Sequence, residues 1–445
     1  MGLQTPLDID GDRKMGAAGI APLTLDATQR AALQRRTLRV LAASQILAAL
    51  GGSGAAAGAL MAFDITGSNA LASLPLALVV VGASGMVMPV SAISRRAGRR
   101  VGLTLAVSIA AVGSVLIVLA GALQSFPLLC TASIAFGAGS TAILLARYAA
   151  ADLSSPAERS RAISRVVFAT TFGAVAGPNL LAPAGGVANA FRLPELTGLY
   201  MFSAGAFSLG ALVLFVLLRP DPLQIAVALE QRMEADNSGA TVRIPLRRLL
   251  APQAAVTGLA TIVIANLVMV AVMTMAPVHM RGHGHGLEFV GFVISLHVAG
   301  MFAPSPLTGW LTDRLGSPPV AALCGFLLMI AGILSAIGGQ SGFSFAFGLF
   351  LLGVGWNAGL IAGSTLLASS VPAAHRPRAE GAGDLSMGIA GATATALSGP
   401  IVGLAGYATL ALAGSVAAAA IGPFLIAVAR HSRPAEIPRA RRVLT

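Results

Sequence analysis

Charge is scarce in this chain, and acid is scarcer than base. Asp, Glu, Lys and Arg make up 10% of the 445 residues, against 56% apolar residues and a mean hydropathy of +0.82. That balance excludes a soluble globule with an ordinary surface and places the chain in a membrane. Cysteine is nearly absent: Cys130 and Cys324 lie far apart inside apolar runs. They read as small buried side chains and suggest no redox centre. No GxxxxGK[ST] stretch occurs, and no polar segment is large enough to house a nucleotide-binding domain, which excludes a pump driven directly by ATP. The net charge of +12 raises the question of nucleic acid. The arginines anchor loops beside apolar runs instead of forming one patch, so no nucleic-acid partner is implied.

What the chain does have is apolar runs of about 20 residues, the length that crosses a hydrocarbon core of about 30 Å as a helix. Twelve are read, at 37–62, 69–93, 101–122, 126–148, 163–186, 197–218, 253–277, 288–311, 319–339, 342–370, 385–405 and 407–429. Basic residues gather on one side of them: Arg35, Arg36 and Arg39 before the first, Arg95, Arg96, Arg99 and Arg100 after the second, then the 158–165 loop, 219–252, Arg376 and Arg378, and Arg439, Arg441 and Arg442. Only Arg192 and Arg281 fall opposite. Because Lys and Arg in short loops stay cytoplasmic, both termini are predicted to be cytoplasmic. The first 36 residues read as a cytoplasmic tail and not a cleaved signal. The predicted fold is therefore an all-α membrane protein with twelve transmembrane helices in two six-helix bundles. Its expected parts are a tail at 1–36, a bundle at 37–218, a cytoplasmic linker at 219–252, a second bundle at 253–430 and a tail at 431–445.

The halves repeat. "SAISRRAGRR" (Ser91–Arg100) follows the second span and "GWLTDRLG" (Gly309–Gly316) the eighth, with Gly98 and Gly316 separated by 218 positions. Gly177-Pro178 in the fifth span and Gly399-Pro400 in the eleventh are 222 apart. A near-constant offset over half the chain marks a duplicated six-helix unit, the architecture of secondary transporters that alternate access around a midplane site. On these residues the chain resembles the major facilitator superfamily. "GWLTDRLG" is similar to its loop signature Gly-x-x-x-Asp-Arg-x-Gly. The resemblance implies that Asp313 meets a neighbouring helix end and Arg314 holds the cytoplasmic gate, between Gly309 and Gly316. The first-half copy departs from the signature, with Ser91 for the Gly and Arg95 for the Asp. "GAVAGP" (Gly173–Pro178) resembles the glycine-proline motif common among antiporters of the superfamily, although glycines four apart also permit close packing in any bundle. Gly177 and Pro178, with their counterparts, are expected to let the fifth and eleventh spans bend.

An ionisable group deep in a span is costly and is a functional candidate by default. Arg147, Asp152, Asp313 and Asp384 are read at the cytoplasmic ends of spans, which leaves His297 as the one clear midmembrane ionisable group. The centre is instead soft. Residues 269–301 hold five of the 14 methionines and four of the six histidines. Met269 and Met273 in the seventh span, and His297 and Met301 in the eighth, are pairs four apart, so each pair shares a helix face. Spans joined by a short loop can bring the two pairs to overlapping depth. Taken singly, a Met pair is ordinary core packing and His297 could be an interior histidine paired with Asn357. Taken together, thioethers and an imidazole without carboxylates select Cu(I) over harder ions. At the 218 offset the first half offers Gly51, Ala55, Val79 and Ala83, so the soft set belongs to one half. Met275, His279, Met280, His283 and His285 continue outward as a candidate ladder for metal capture.

This spacing, MxxxM then HxxxM with 28 positions from Met269 to His297, resembles the CcoA-type copper importers, a branch of the superfamily that supplies copper for assembly of haem-copper oxidases. The resemblance implies Met269, Met273, His297 and Met301 as copper ligands, with copper as cargo and no cofactor. It further implies the bacterial cytoplasmic (inner) membrane and cytoplasmic copper acceptors. The expected function is alternating-access copper import by a transporter that is not an enzyme. The alternatives are proton-coupled drug efflux, with the Met face as an adaptable apolar pocket, and uptake of a vitamin such as riboflavin, the cargo associated with some relatives in the same branch.

Overall fold

A computed structural model describes residues 27–67, 71, 74–177, 180–235, 246–285, 287–338 and 342–425. The apolar runs form helices because a lipid-facing backbone must satisfy its polar groups within the segment. The first half comprises α1 (Ala27–Gly52), α2 (Ala55–Thr66), α3 (Leu74–Ala97), α4 (Arg99–Ala122), α5 (Phe126–Ala151), α6 (Arg159–Ala176), α7 (Leu181–Ala190) and α8 (Thr197–Leu217). α9 (Pro222–Ala235) lies in the connector. The second half comprises α10 (Gln253–Gly282), α11 (Leu287–Phe302), α12 (Ser305–Leu315), α13 (Ser317–Ile337), α14 (Gly342–Ser369) and α15 (Arg376–Ala419).

Among the described residues nine helical stretches are long and apolar enough to cross a membrane. The expected spans outnumber these stretches because some are broken and because the last two part at a single residue. The first span divides into α1 and α2, and the fifth into α6 and α7. Pro178, the expected bend in the fifth, lies outside the described residues. The eleventh and twelfth spans are two helices, together labelled α15, that part at the non-helical Gly406 (φ 82°, ψ 164°), the residue between the runs read at 385–405 and 407–429, and the first of them continues through Pro400. Pro400 thus leaves its helix unbroken, and the turn between the two spans falls at a glycine with positive φ, a conformation other residues rarely adopt. α1 begins inside the expected polar tail, where Arg30 donates to the Leu153 carbonyl (3.1 Å) and Gln34 to the Ala150 carbonyl (2.8 Å). These side chains extend the helix because they satisfy carbonyls near the end of α5.

Two apolar cores result. One runs from Leu38 to Leu218 with Ala368 added, and the other from Ala265 to Ile421 with Ala151, Ile163 and Val167 added. The same crossing appears in both. A Cβ on Gly82 would collide with the Ile134 carbonyl and one on Gly137 with the Val79 carbonyl, where α3 crosses α5. A Cβ on Gly300 would collide with the Phe350 carbonyl and one on Gly353 with the His297 carbonyl, where α11 crosses α14. Val79 and His297 are 218 apart, the offset of the loops. Small residues thus set the repeated helix contacts.

Candidate functional site

His297 lies at the α11–α14 crossing and is 2% exposed. Its Nδ1 is 2.8 Å from the Leu349 carbonyl oxygen. A carbonyl can only accept, so Nδ1 carries a proton, and in the neutral ring the lone pair then lies at Nε2. Nε2 is buried and has no hydrogen-bond partner among the described residues. Asn357 is not the partner of His297: it donates instead to the Met301 carbonyl and to Ser305 Oγ, both at 2.7 Å.

Met269 is buried in the second core, and Met273 and Met301 pack against that core while keeping partial exposure. All three thus belong to or border the second core, which also takes in residues of α13, α14 and α15. The helices that carry them are not packed as loop-joined neighbours. α10 and α11 meet only briefly, and each packs its length along α14. The glycines of α14 explain this: Gly359 and Gly363 admit α10 at Ala265 and Ile262, while Gly353 admits α11. Asn266 shares the face of Met269 and Met273, one and two turns earlier. It accepts from Trp356 Nε1 (3.1 Å) and donates to the Met387 carbonyl (3.0 Å), tying α10 to α14 and α15. Met387 is buried in the same core, and its place 86 positions after Met301 hid it from a search by spacing.

The outer ladder divides. Met280 is 1% exposed and belongs to the core, and Met275 packs against it. His279 stacks on Tyr407 (ring centroids 4.3 Å) with the His283 ring at 4.2 Å, while His285 stacks on Phe289 at 4.6 Å. Among the described residues no three His, Cys, Asp or Glu side chains gather as a metal site. A site centred on the methionines would draw on thioethers, which such a grouping leaves out.

The opposite, basic face is sealed between the halves. Asp313 accepts from the backbone N–H groups of Ser160 (2.9 Å) and Arg161 (3.0 Å) at the start of α6, and from Arg161 Nε (2.8 Å). Gly309 allows this approach, since a Cβ there would strike Ser164. Gly316 takes φ 89° and ψ 160° between α12 and α13. Arg314 is exposed, with its guanidinium 5.2 Å from the Trp310 ring centre on its own helix. Gly177 is buried against Ser53.

The residues read as span ends prove to be more than that. Arg99 Nε bonds Asp152 (2.8 Å) while its Nη2 reaches Glu380 across the halves (2.6 Å). Arg147 reaches Asp384 and bonds Ser364 Oγ (2.9 Å), and Tyr148 lies against the same carboxylate. All four charges of these cross-bundle pairs are at most 1% exposed, as is Asp152. Two features in the sequence signal this: arginines in one half, and Glu380 and Asp384 four apart on one helix face in the other. His297 is therefore not the only buried ionisable group.

The sequence profile of the Major Facilitator Superfamily matches residues 41–303 and 286–444. An uncharacterised MFS-type transporter of Bacillus subtilis (strain 168), YdeG, is 39% identical over 84% of this chain and 87% of its own. The riboflavin transporter RfnT of Brucella anthropi is 29% identical over 79% of this chain and 85% of its own. In fold, the chain is similar to the proton:xylose symporter XylE (TM-score 0.73, 15% identity, 89% of this chain and 96% of that one). It is also similar to an outward-facing bacterial homologue of the iron transporter ferroportin (TM-score 0.66, 14% identity, 88% and 99%). The duplicated helical halves, the sealed basic face and these matches converge: the chain belongs to the major facilitator superfamily and is a multi-pass membrane transporter of that family.

Proposed function

We propose that the chain imports copper across the bacterial cytoplasmic membrane, binding Cu(I) through Met269, Met273, His297 and Met301. The observation that carries this reading is the His297 ring. One nitrogen is fixed by a backbone carbonyl and the other is buried without a partner, the arrangement in which a carbonyl orients a ligating imidazole. Thioethers from the surrounding apolar core suit a soft monovalent ion that sheds its water to neutral ligands. His279, His283 and His285 would receive the ion at the mouth, and the cytoplasmic face would open once the Asp313, Glu380 and Asp384 contacts release. Gradients or cytoplasmic copper acceptors would drive the cycle.

A second reading, riboflavin uptake, is favoured by the likeness to RfnT. In that case Trp356 and the half-buried methionines would bind an aromatic ring system. One experiment separates the two. Copper accumulation is measured in cells expressing matched amounts of wild type, His297→Ala and Met273→Leu, alongside growth of a riboflavin auxotroph. Copper import predicts accumulation by wild type that falls to the empty-cell level in both variants, with no rescue of the auxotroph. Rescue that persists in both variants, with no copper gain, replaces copper by riboflavin.

A further inference from the structure

The two copies of the loop signature share a backbone. Gly98 has φ 93° and ψ 166°, and Gly316 has φ 89° and ψ 160°. At their offset of 218, Gly309 corresponds to Ser91 and Asp313 to Arg95. The partner helices also correspond: α6 begins at Arg159 and α15 at Arg376. Even the close contact repeats with its roles exchanged. Gly309 faces Ser164 of α6, whereas Ser91 faces Gly381 of α15.

The second copy staples its partner helix with the Asp313 carboxylate, an acceptor of three N–H groups. The first copy presents a donor, Arg95, where that acceptor stands. Beside it lies a cavity of about 670 Å³ between α3 and the start of α15, and Met88, Ser91, Arg95, Arg96, His375 and Arg378 line it. Among the described residues that line it there is no carboxylate. Ser91 is 1% exposed, and its Oγ has no hydrogen-bond partner among the described residues. Arg95, Arg96 and the buried Ser91 hydroxyl of α3 therefore face His375, the residue before α15, and Arg378 of its first turn, in the opposite half. The volume falls within the range of small-ligand sites, and forked guanidinium donors match the oxygens of a phosphate group.

We infer that this cavity binds a phosphate group, from a phospholipid headgroup or free phosphate, which bridges α3 and α15 as the Asp313 carboxylate bridges α12 and α6. The bound group stabilises the state in which the basic face is closed. A lipid source is natural at this position, because a face rich in arginine beside a membrane attracts anionic headgroups. The inference does not depend on the cargo.

The test uses the purified full-length protein. Its thermal midpoint is followed in an uncharged detergent against inorganic phosphate, and in nanodiscs of phosphatidylcholine with and without phosphatidylglycerol. The wild type is expected to gain midpoint with phosphatidylglycerol. The Arg95→Ala/Arg96→Ala variant, with an unchanged midpoint in the absence of anion, is expected to need about tenfold more anion for each arginine lost. Arg95→Asp restores the carboxylate of the signature and should remove the anion dependence while keeping the midpoint high. A gain with both probes assigns the site to phosphate from either source, and a gain with phosphatidylglycerol alone assigns it to the lipid. The proposal is overturned if neither probe shifts the wild type, or if the double variant and Arg95→Asp respond as the wild type does.

Discussion

A side chain's role in this chain depends on which of its atoms are already engaged. His297 stands out in the sequence because it is an ionisable residue inside an apolar run, and the structure adds that its Nδ1 is committed to Leu349 while Nε2 is not. The buried charges were harder to read. Arg147 and Asp384 are 237 positions apart, and each alone resembles a loop anchor. Only the fold shows that they meet. Removing one member of such a pair leaves an uncompensated buried charge, which costs about 3–5 kcal/mol, whereas replacing both by apolar groups costs far less. Asp384→Asn should therefore lower the thermal midpoint of the purified protein sharply, and Arg147→Met/Asp384→Leu should recover much of the loss. Equal losses in the single and double variants would contradict the pairing.

At the scale of the helix, length and hydropathy reveal where spans lie and where the last two part, but not where the first and fifth break. Proline marks the expected bends, yet the helix runs unbroken through Pro400 as far as Gly406, which lies between the last two spans. A proline removes one hydrogen bond, which neighbouring groups in a bundle can compensate. A positive φ favours glycine, and the one position left between the runs at 385–405 and 407–429 is a glycine. The loop glycines were legible because the motif repeats. At φ 89° and ψ 160°, Gly316 occupies a region essentially closed to other residues, at a cost of about 1–3 kcal/mol. Gly316→Ala should lose that much stability in denaturant or thermal unfolding. Gly282→Ala, which has open space around it, should lose less than 1 kcal/mol, as expected of a surface substitution. Glycine also explains why the Met and His pairs were placed on the correct helices but in the wrong packing relation. Gly353, Gly359 and Gly363 draw both helices onto α14.

At the scale of the molecule, the duplicated architecture could be read from the loop offset, and the sealed basic face is consistent with a gate formed by contacts between the halves. Asp313 on the α6 terminus is one such contact, and Ser160 bonded to Thr365 at 3.0 Å lies beneath it. Asp313→Asn should loosen that closure. In a Cys130→Ala/Cys324→Ala background, a Thr365→Cys reporter should react several-fold faster with a soluble thiol reagent once Asp313→Asn is added. An unchanged rate would remove Asp313 from the gate. The central claim concerns what passes through that gate, and the most direct test is Cu(I) titration of the purified protein against a competing chelator, with X-ray absorption at the copper edge. The account predicts one bound Cu(I) with sulfur and one nitrogen neighbour, loss of the nitrogen contribution in His297→Ala, and at least about tenfold weaker binding there. No competitive binding by the wild type, or binding that His297→Ala and Met273→Leu leave unchanged, would contradict it.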